Sequence, residues 1–226
     1  MRAALGTGTG AAAGTGINYN GTINIVASGK FSEQLILGDD PATGPVETLQ
    51  NVTIQGAPGA LVIIDAVLSG DPASGNPTRL NGTGIVVNAP TTSSHVVLRN
   101  LIVRNFSTGL SIENNSRVTV ENCVFQNNRN YGIRALGSSR LAVLGTSVLD
   151  TGFRVSTELD TPAPGHGISF EDSSGGTVAK SLTTGNAGAG LVNSSGLGTS
   201  AVRYYELVTA FNGGGSVVNA IRFADF

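Results

Sequence analysis

Five segments of this 226-residue chain open in the same way, with a glycine followed by a branched apolar residue. They are Gly84-Ile85-Val86-Val87, Gly109-Leu110-Ser111-Ile112, Gly132-Ile133-Arg134-Ala135, Gly167-Ile168-Ser169-Phe170 and Gly190-Leu191-Val192-Asn193. The glycines are spaced 25, 23, 35 and 23 residues apart, so the odd interval is the basic unit plus 12. Self-similarity at such a period is the mark of a stacked repeat. Each unit continues with a polar turn and two further alternating segments. The second segments are Val96-Val97-Leu98, Val118-Thr119-Val120 and Leu141-Ala142-Val143. The third segments are Leu101-Ile102-Val103, Cys123-Val124-Phe125 and Thr146-Ser147-Val148.

Alternation sends successive side chains to opposite faces. The inward sets are then Ile85/Leu110/Ile133/Ile168/Leu191 and Val87/Ile112/Ala135/Phe170/Asn193, each stacking from unit to unit. Three short strands in about 23 residues leave no room for a helix, which excludes leucine-rich and ankyrin-type repeats. A β-sandwich would not hold three registers over four units. The fold expected is all-β: a parallel solenoid with three short strands per coil, in which stacking supplies the core that no single coil can bury.

Asparagines support the same alignment. Asn100 and Asn122 fall at the bend between second and third strands. Asn105, Asn127, Asp150, Asn186 and Asn212 fall at the end of the third. Asn and Asp tolerate left-handed backbone and bond nearby main chain. Stacked at about 4.8 Å per coil, their amides can form ladders. These are structural turn residues, not ligands.

The segment Ser116-Arg-Val-Thr-Val-Glu-Asn-Cys-Val-Phe-Gln-Asn-Asn128 resembles the coil signature of the pectin-lyase-like superfold. So do the opening stretches Gly21–Gly29, Phe31–Leu37 and Asn51–Gly56. The resemblance covers roughly residues 20–223 and implies a right-handed, single-stranded parallel β-helix. That superfold includes polysaccharide lyases, polygalacturonases, pectinesterases, phage tailspikes and surface proteins, so the resemblance speaks for the scaffold and not for an activity. The family's paired aspartates with Gly-His and Arg-Lys elements are missing. So is the aspartate cluster that binds calcium in its pectate lyases. Calcium is therefore unsupported, and no cofactor or metal is expected.

Residues 1–16 alternate Ala, Gly and Thr and read as a low-complexity lead-in; residues 17–226 read as the β-helix domain. Loop insertions are expected at 38–47, 69–82 and 151–166. The last of these accounts for the twelve extra residues. Val217–Phe223 reads as the start of another coil, so further coils or an end-to-end partner chain are expected to cover that end. The one cysteine, Cys123, sits in an apolar run and reads as a buried filler.

Charged residues make up 12% of the chain, about half the usual share, and the net charge is −2. Solvent-facing positions must therefore be filled by Ser, Thr, Asn and Gly, as in β-rich extracellular repeats. This places the chain outside the cell or on its surface, although no signal-peptide segment is present. Nothing suggests a nucleic-acid partner or a membrane-inserted segment.

Two outward rows run along the first strands: Val86, Ser111, Arg134, Ser169, Val192, and Asn88, Glu113, Leu136, Glu171, Ser194. Glu113 and Glu171 then lie two coils apart, roughly 9–10 Å at about 4.8 Å per coil, with Arg134 between them. Two carboxylates roughly 6.5–9.5 Å apart suit an inverting glycosidase. An arginine beside them would hold a uronate carboxylate. Glu113, Arg134 and Glu171 are the candidate catalytic residues. Arg154, Glu158, Asp160 and His166 from the long loop are candidate binding residues. Missing hydrolase motifs, low charge and the hydroxyl-rich exterior favour a different class. This is a non-catalytic surface or secreted segment, a scaffold or adhesin with a polysaccharide or other glycan as its partner. The alternative is a lyase or hydrolase acting on an acidic polysaccharide.

Overall fold

A computed structural model describes residues 19–38, 49–66, 82–88, 95–152, 164–194 and 201–222. They form a right-handed parallel β-helix of three sheets, with one strand per sheet in each coil. Sheet 1 takes the five glycine-led strands Thr83–Asn88, Thr108–Glu113, Tyr131–Ala135, His166–Phe170 and Leu191–Asn193, together with Leu35–Gly38 and Val217–Val218. Sheet 2 takes Tyr19–Ile25, Leu49–Gly56, His95–Arg99, Arg117–Glu121, Arg140–Leu144, Gly175–Ala179, Val202–Tyr205 and Ile221–Arg222. Sheet 3 takes Gly29–Phe31, Val62–Asp65, Leu101–Arg104, Val124–Gln126, Ser147–Leu149, Leu182–Thr184 and Val208–Ala210. A parallel pair needs a long crossover, and here the remainder of each coil provides it.

The register joins like to like. Ile133 pairs with Leu110 on one side and Ile168 on the other, and Ala135 pairs with Ile112 and Phe170. Ile85, Leu110, Ile133, Ile168 and Leu191 are all fully buried. The glycines leading these strands are dictated by coil spacing. A Cβ on Gly132 would lie 2.2 Å from Val148 Cγ1 and 2.7 Å from the Gly167 carbonyl oxygen. One on Gly109 would lie 2.5 Å from the Gly132 carbonyl oxygen.

The corners are left-handed. Between sheets 2 and 3 the bend residues are Asn100, Asn122, Gly145, Lys180 and Glu206, with φ from 46° to 56°. After sheet 3 they are Asn105, Asn127, Asp150, Gly185 and Phe211, with φ from 53° to 68°. Asn186 and Asn212 thus stand one position later than expected. They belong to a column with Asn128 and Thr151, buried up to Asn186 and half-buried at Asn212. In that column the Asn128, Asn186 and Asn212 side-chain oxygens accept the main-chain N–H groups of Phe106, Thr151 and Asn186. The difference has a simple reason: counting 23 and then 35 residues from Asn127 arrives at Gly185, and alignment by residue type alone misses it.

Two hydroxyl columns line corners as well, one between sheets 1 and 2 and one beside the bend between sheets 2 and 3. Ser116, Ser139 and Ser174 are fully buried and donate to main-chain carbonyls of the preceding coil, those of Val87, Ile112 and Ala135. Thr146 Oγ1 accepts the Cys123 N–H, and Ser181 Oγ accepts the Thr146 N–H. Buried polar groups of this kind must be bonded. Thr151 Oγ1 and Thr183 Oγ1 are exceptions, with no partner among the described residues. Burial pushes the Cys123 thiol up to about 12, which leaves it a packed, inert group.

The core grows more polar along the chain. In sheet 3 the inward column reads Ile64, Val103, Phe125, Val148, Thr183, Thr209. In sheet 2 Leu141 is followed by Gly176, and in sheet 1 Phe170 is followed by Asn193. Tyr204 is paired with Val178 and packs against the end of the core. The twelve-residue excess leaves the register untouched. Gly152 and Gly165, both with positive φ, bracket it so closely that a Cβ on Gly152 would lie 2.7 Å from Gly165 Cα.

Candidate functional site

The outer face of sheet 1 brings together most of the expected site. Arg134 faces Ser111 on one neighbouring strand and Ser169 on the other. The motif Ser-x-Glu occurs on both flanking strands. Ser111 Oγ donates to Glu113 Oε1 at 2.8 Å, and Ser169 Oγ donates to Glu171 Oε1 at 2.9 Å. Arg134 stands between these two similar acids and bonds one of them. Its Nε and Nη2 donate to Glu171 Oε2 at 3.1 and 2.6 Å. The serines of this row were expected at the solvent, but Ser111 and Ser169 are buried. They are short, and each lies against the carboxylate two residues on.

Tyr131 completes the cluster. Arg134 lies over its ring, 4.7 Å from the centroid, which places the ring beside the Arg134–Glu171 pair. Burial alone would raise the Glu171 carboxyl. Hydrogen bonds from Arg134 and Ser169, together with the arginine charge, hold it below its ordinary value. His166 pairs with Tyr131 across the two strands, with ring centroids 6.1 Å apart. Its Nδ1 accepts the Ala189 N–H at 2.9 Å, which leaves the proton on Nε2. Burial lowers the His166 pKa, against a smaller opposing pull from Glu171.

Of the candidate catalytic residues, Arg134 and Glu171 are joined and Glu113 stands two coils from Glu171. Among the described residues Glu113 has Ser111 as its side-chain partner. His166 lies at the edge of the same face. Arg154, Glu158 and Asp160 fall outside the described residues, as do most of the expected insertions at 38–47, 69–82 and 151–166. Asn100, Asn122, Asn105, Asn127 and Asp150 stand at the left-handed corners, away from this face. The described residues contain no group of three or more His, Cys, Asp or Glu able to hold a metal. No helix among them is long and apolar enough to cross a membrane.

A family model described as a right-handed β-helix region matches residues 46–203. This chain belongs to the right-handed β-helix family. Comparisons with curated proteins and with solved structures found no match. In a β-helix protein the repeat builds the scaffold, and any chemistry belongs to side chains on its outer faces.

Two features of this β-helix were missed from sequence. Tyr131 carries a readable signal, since it precedes Gly132 as His166 precedes Gly167. Asp65 carried none. It is almost fully buried on sheet 3, held by Arg104 Nε at 2.9 Å, Asn105 Nδ2 at 2.8 Å and Lys30 Nζ at 3.4 Å. This ion cluster ties together three successive coils.

Proposed function

We propose that this chain is a non-catalytic β-helix scaffold of a secreted or cell-surface protein, with glycan recognition on its outer faces. The observation that carries this reading is the state of Glu171. A general acid or base must be able to reach the proton that it transfers. Glu171 instead spends its oxygens on Arg134 and Ser169, and that leaves Glu113 without a reactive partner carboxylate. An arginine needed for a uronate is likewise committed to Glu171. The low charge and the Ser/Thr/Asn exterior support an extracellular setting.

The test is a panel of polyuronates and neutral polysaccharides, incubated with and without calcium. Release of unsaturated or reducing ends is measured alongside retention of the protein on each immobilised glycan. No turnover and retention on at least one glycan is the expected result. Sustained turnover, abolished by Glu171→Gln, would overturn the reading in favour of a polysaccharide lyase or hydrolase.

A further inference from the structure

Charge is not spread evenly over this molecule. The chain as a whole carries −2, yet the outward columns of sheet 2 hold Arg99, Arg117, Arg140 and Arg203 against a single acid, Glu121. Arg99 is the arginine bound to that acid. Arg117 and Arg140 are exposed, one above the other on adjacent strands, and His95 continues their column. Beside this basic column runs a central one of small and hydroxyl-bearing side chains: Thr22, Thr53, Val97, Thr119, Ala142, Thr177, ending at Arg203. No bulky side chain interrupts it before Arg203. At about 4.8 Å per strand the track is about 29 Å long and runs along the solenoid axis. Tyr205 stands outward at its far end, paired with Ala179.

From this arrangement we infer that the outer face of sheet 2 binds a linear anionic polysaccharide, laid across the strands with its acidic groups against Arg117, Arg140 and Arg203. The inference rests on the glycan-binding reading above and gives it a face and a ligand class. Arginine forks suit carboxylate and sulfate groups. The threonine hydroxyls offer a donor or acceptor at most steps, as a polymer rich in hydroxyls requires. The rise of an extended glycan per sugar is of the same order as the coil spacing, so successive sugars meet successive strands. A single-stranded nucleic acid would need stacking aromatics along the track, and the aromatic here is at one end. An extended peptide would add to a sheet edge and would not cross the face.

The test is binding of the whole chain to polygalacturonate, to the same polymer fully methyl-esterified, and to poly-glutamate, at low and at physiological salt. Wild type is expected to bind polygalacturonate at least tenfold more tightly than either of the others, and to weaken as salt rises. Arg117→Glu is expected to lose about tenfold of that affinity, and Arg117→Glu/Arg140→Glu more. Arg140 also bonds the carbonyls of Ser138, Ser139 and Ser173, so its variant can loosen a turn. The single Arg117→Glu variant decides the matter if the double one misfolds. Gln126→Glu, which adds one negative charge on sheet 3, should bind as wild type. Wild-type affinity in Arg117→Glu, with polygalacturonate still bound, overturns the placement and leaves glycan recognition standing. Binding of no glycan at all overturns both. Equal affinity for poly-glutamate overturns the ligand class.

Discussion

A single added methyl at position 132 has nowhere to go. Val148 Cγ1 and the Gly167 carbonyl both lie within 2.7 Å of where it would sit, and the carbonyl belongs to the next coil. Overpacking of this kind costs about 1–3 kcal/mol. Gly132→Ala should lower unfolding free energy by that amount in guanidinium titration. Gly29→Ala, where nothing lies within 4 Å of the new methyl, should stay within about 0.5 kcal/mol. Equal effects at both positions would show that the glycines serve backbone freedom and not close approach. The same spacing that marked these glycines also marked the buried serines. Ser116, Ser139 and Ser174 are 23 and 35 residues apart, as are Gly109, Gly132 and Gly167. That signal was legible in principle, but serine reads as an exterior residue until the corner it fills is known.

On sheet 1, residues from neighbouring strands act as a unit. Glu171 titrates below its ordinary value, so its contribution to stability is present above that value and is lost as pH falls through the depressed one. His166 is also depressed, by burial. Its neutral form favours the fold above the ordinary histidine value of 6.5, and stability declines as pH drops below it. His95 on sheet 2 shifts the same way, through burial and Arg117, and shares in this decline. Thermal melts should therefore show a first loss as pH falls below about 6.5 and a second below about pH 4.5, where unfolded carboxylates take up protons. His166→Asn keeps an acceptor for the Ala189 N–H and removes the charge, so it should shrink the first loss and leave the second. An unchanged melting profile in that variant would remove His166 from the account. Strand composition and register were plain in the sequence because each coil repeats the same inward pattern. The pairing on this face was not, because Arg134 stands between two Ser-x-Glu strands and sequence cannot say which acid it takes.

Along the whole solenoid, stability should follow the change in the core. Coils from His95 to Leu149 bury Val, Leu, Ile and Phe at nearly every inward position. The last ones substitute Thr183, Asn193 and Thr209. Stacked repeats gain stability from nearest neighbours, so an end with a weak core opens first. Hydrogen exchange should show amides of 201–222 exchanging well before those of 95–149. Uniform protection from end to end would mean that the polar columns hold as well as the apolar ones. The long coil has a separate consequence for how such a molecule can change over time. Because Gly152 and Gly165 stand against each other, whatever lies between them departs from and rejoins the stack at one point. Lengthening an already closed excursion adds little closure entropy. A lineage, or an engineer, can thus exchange that excursion for cargo of another size without asking the adjoining rungs to shift.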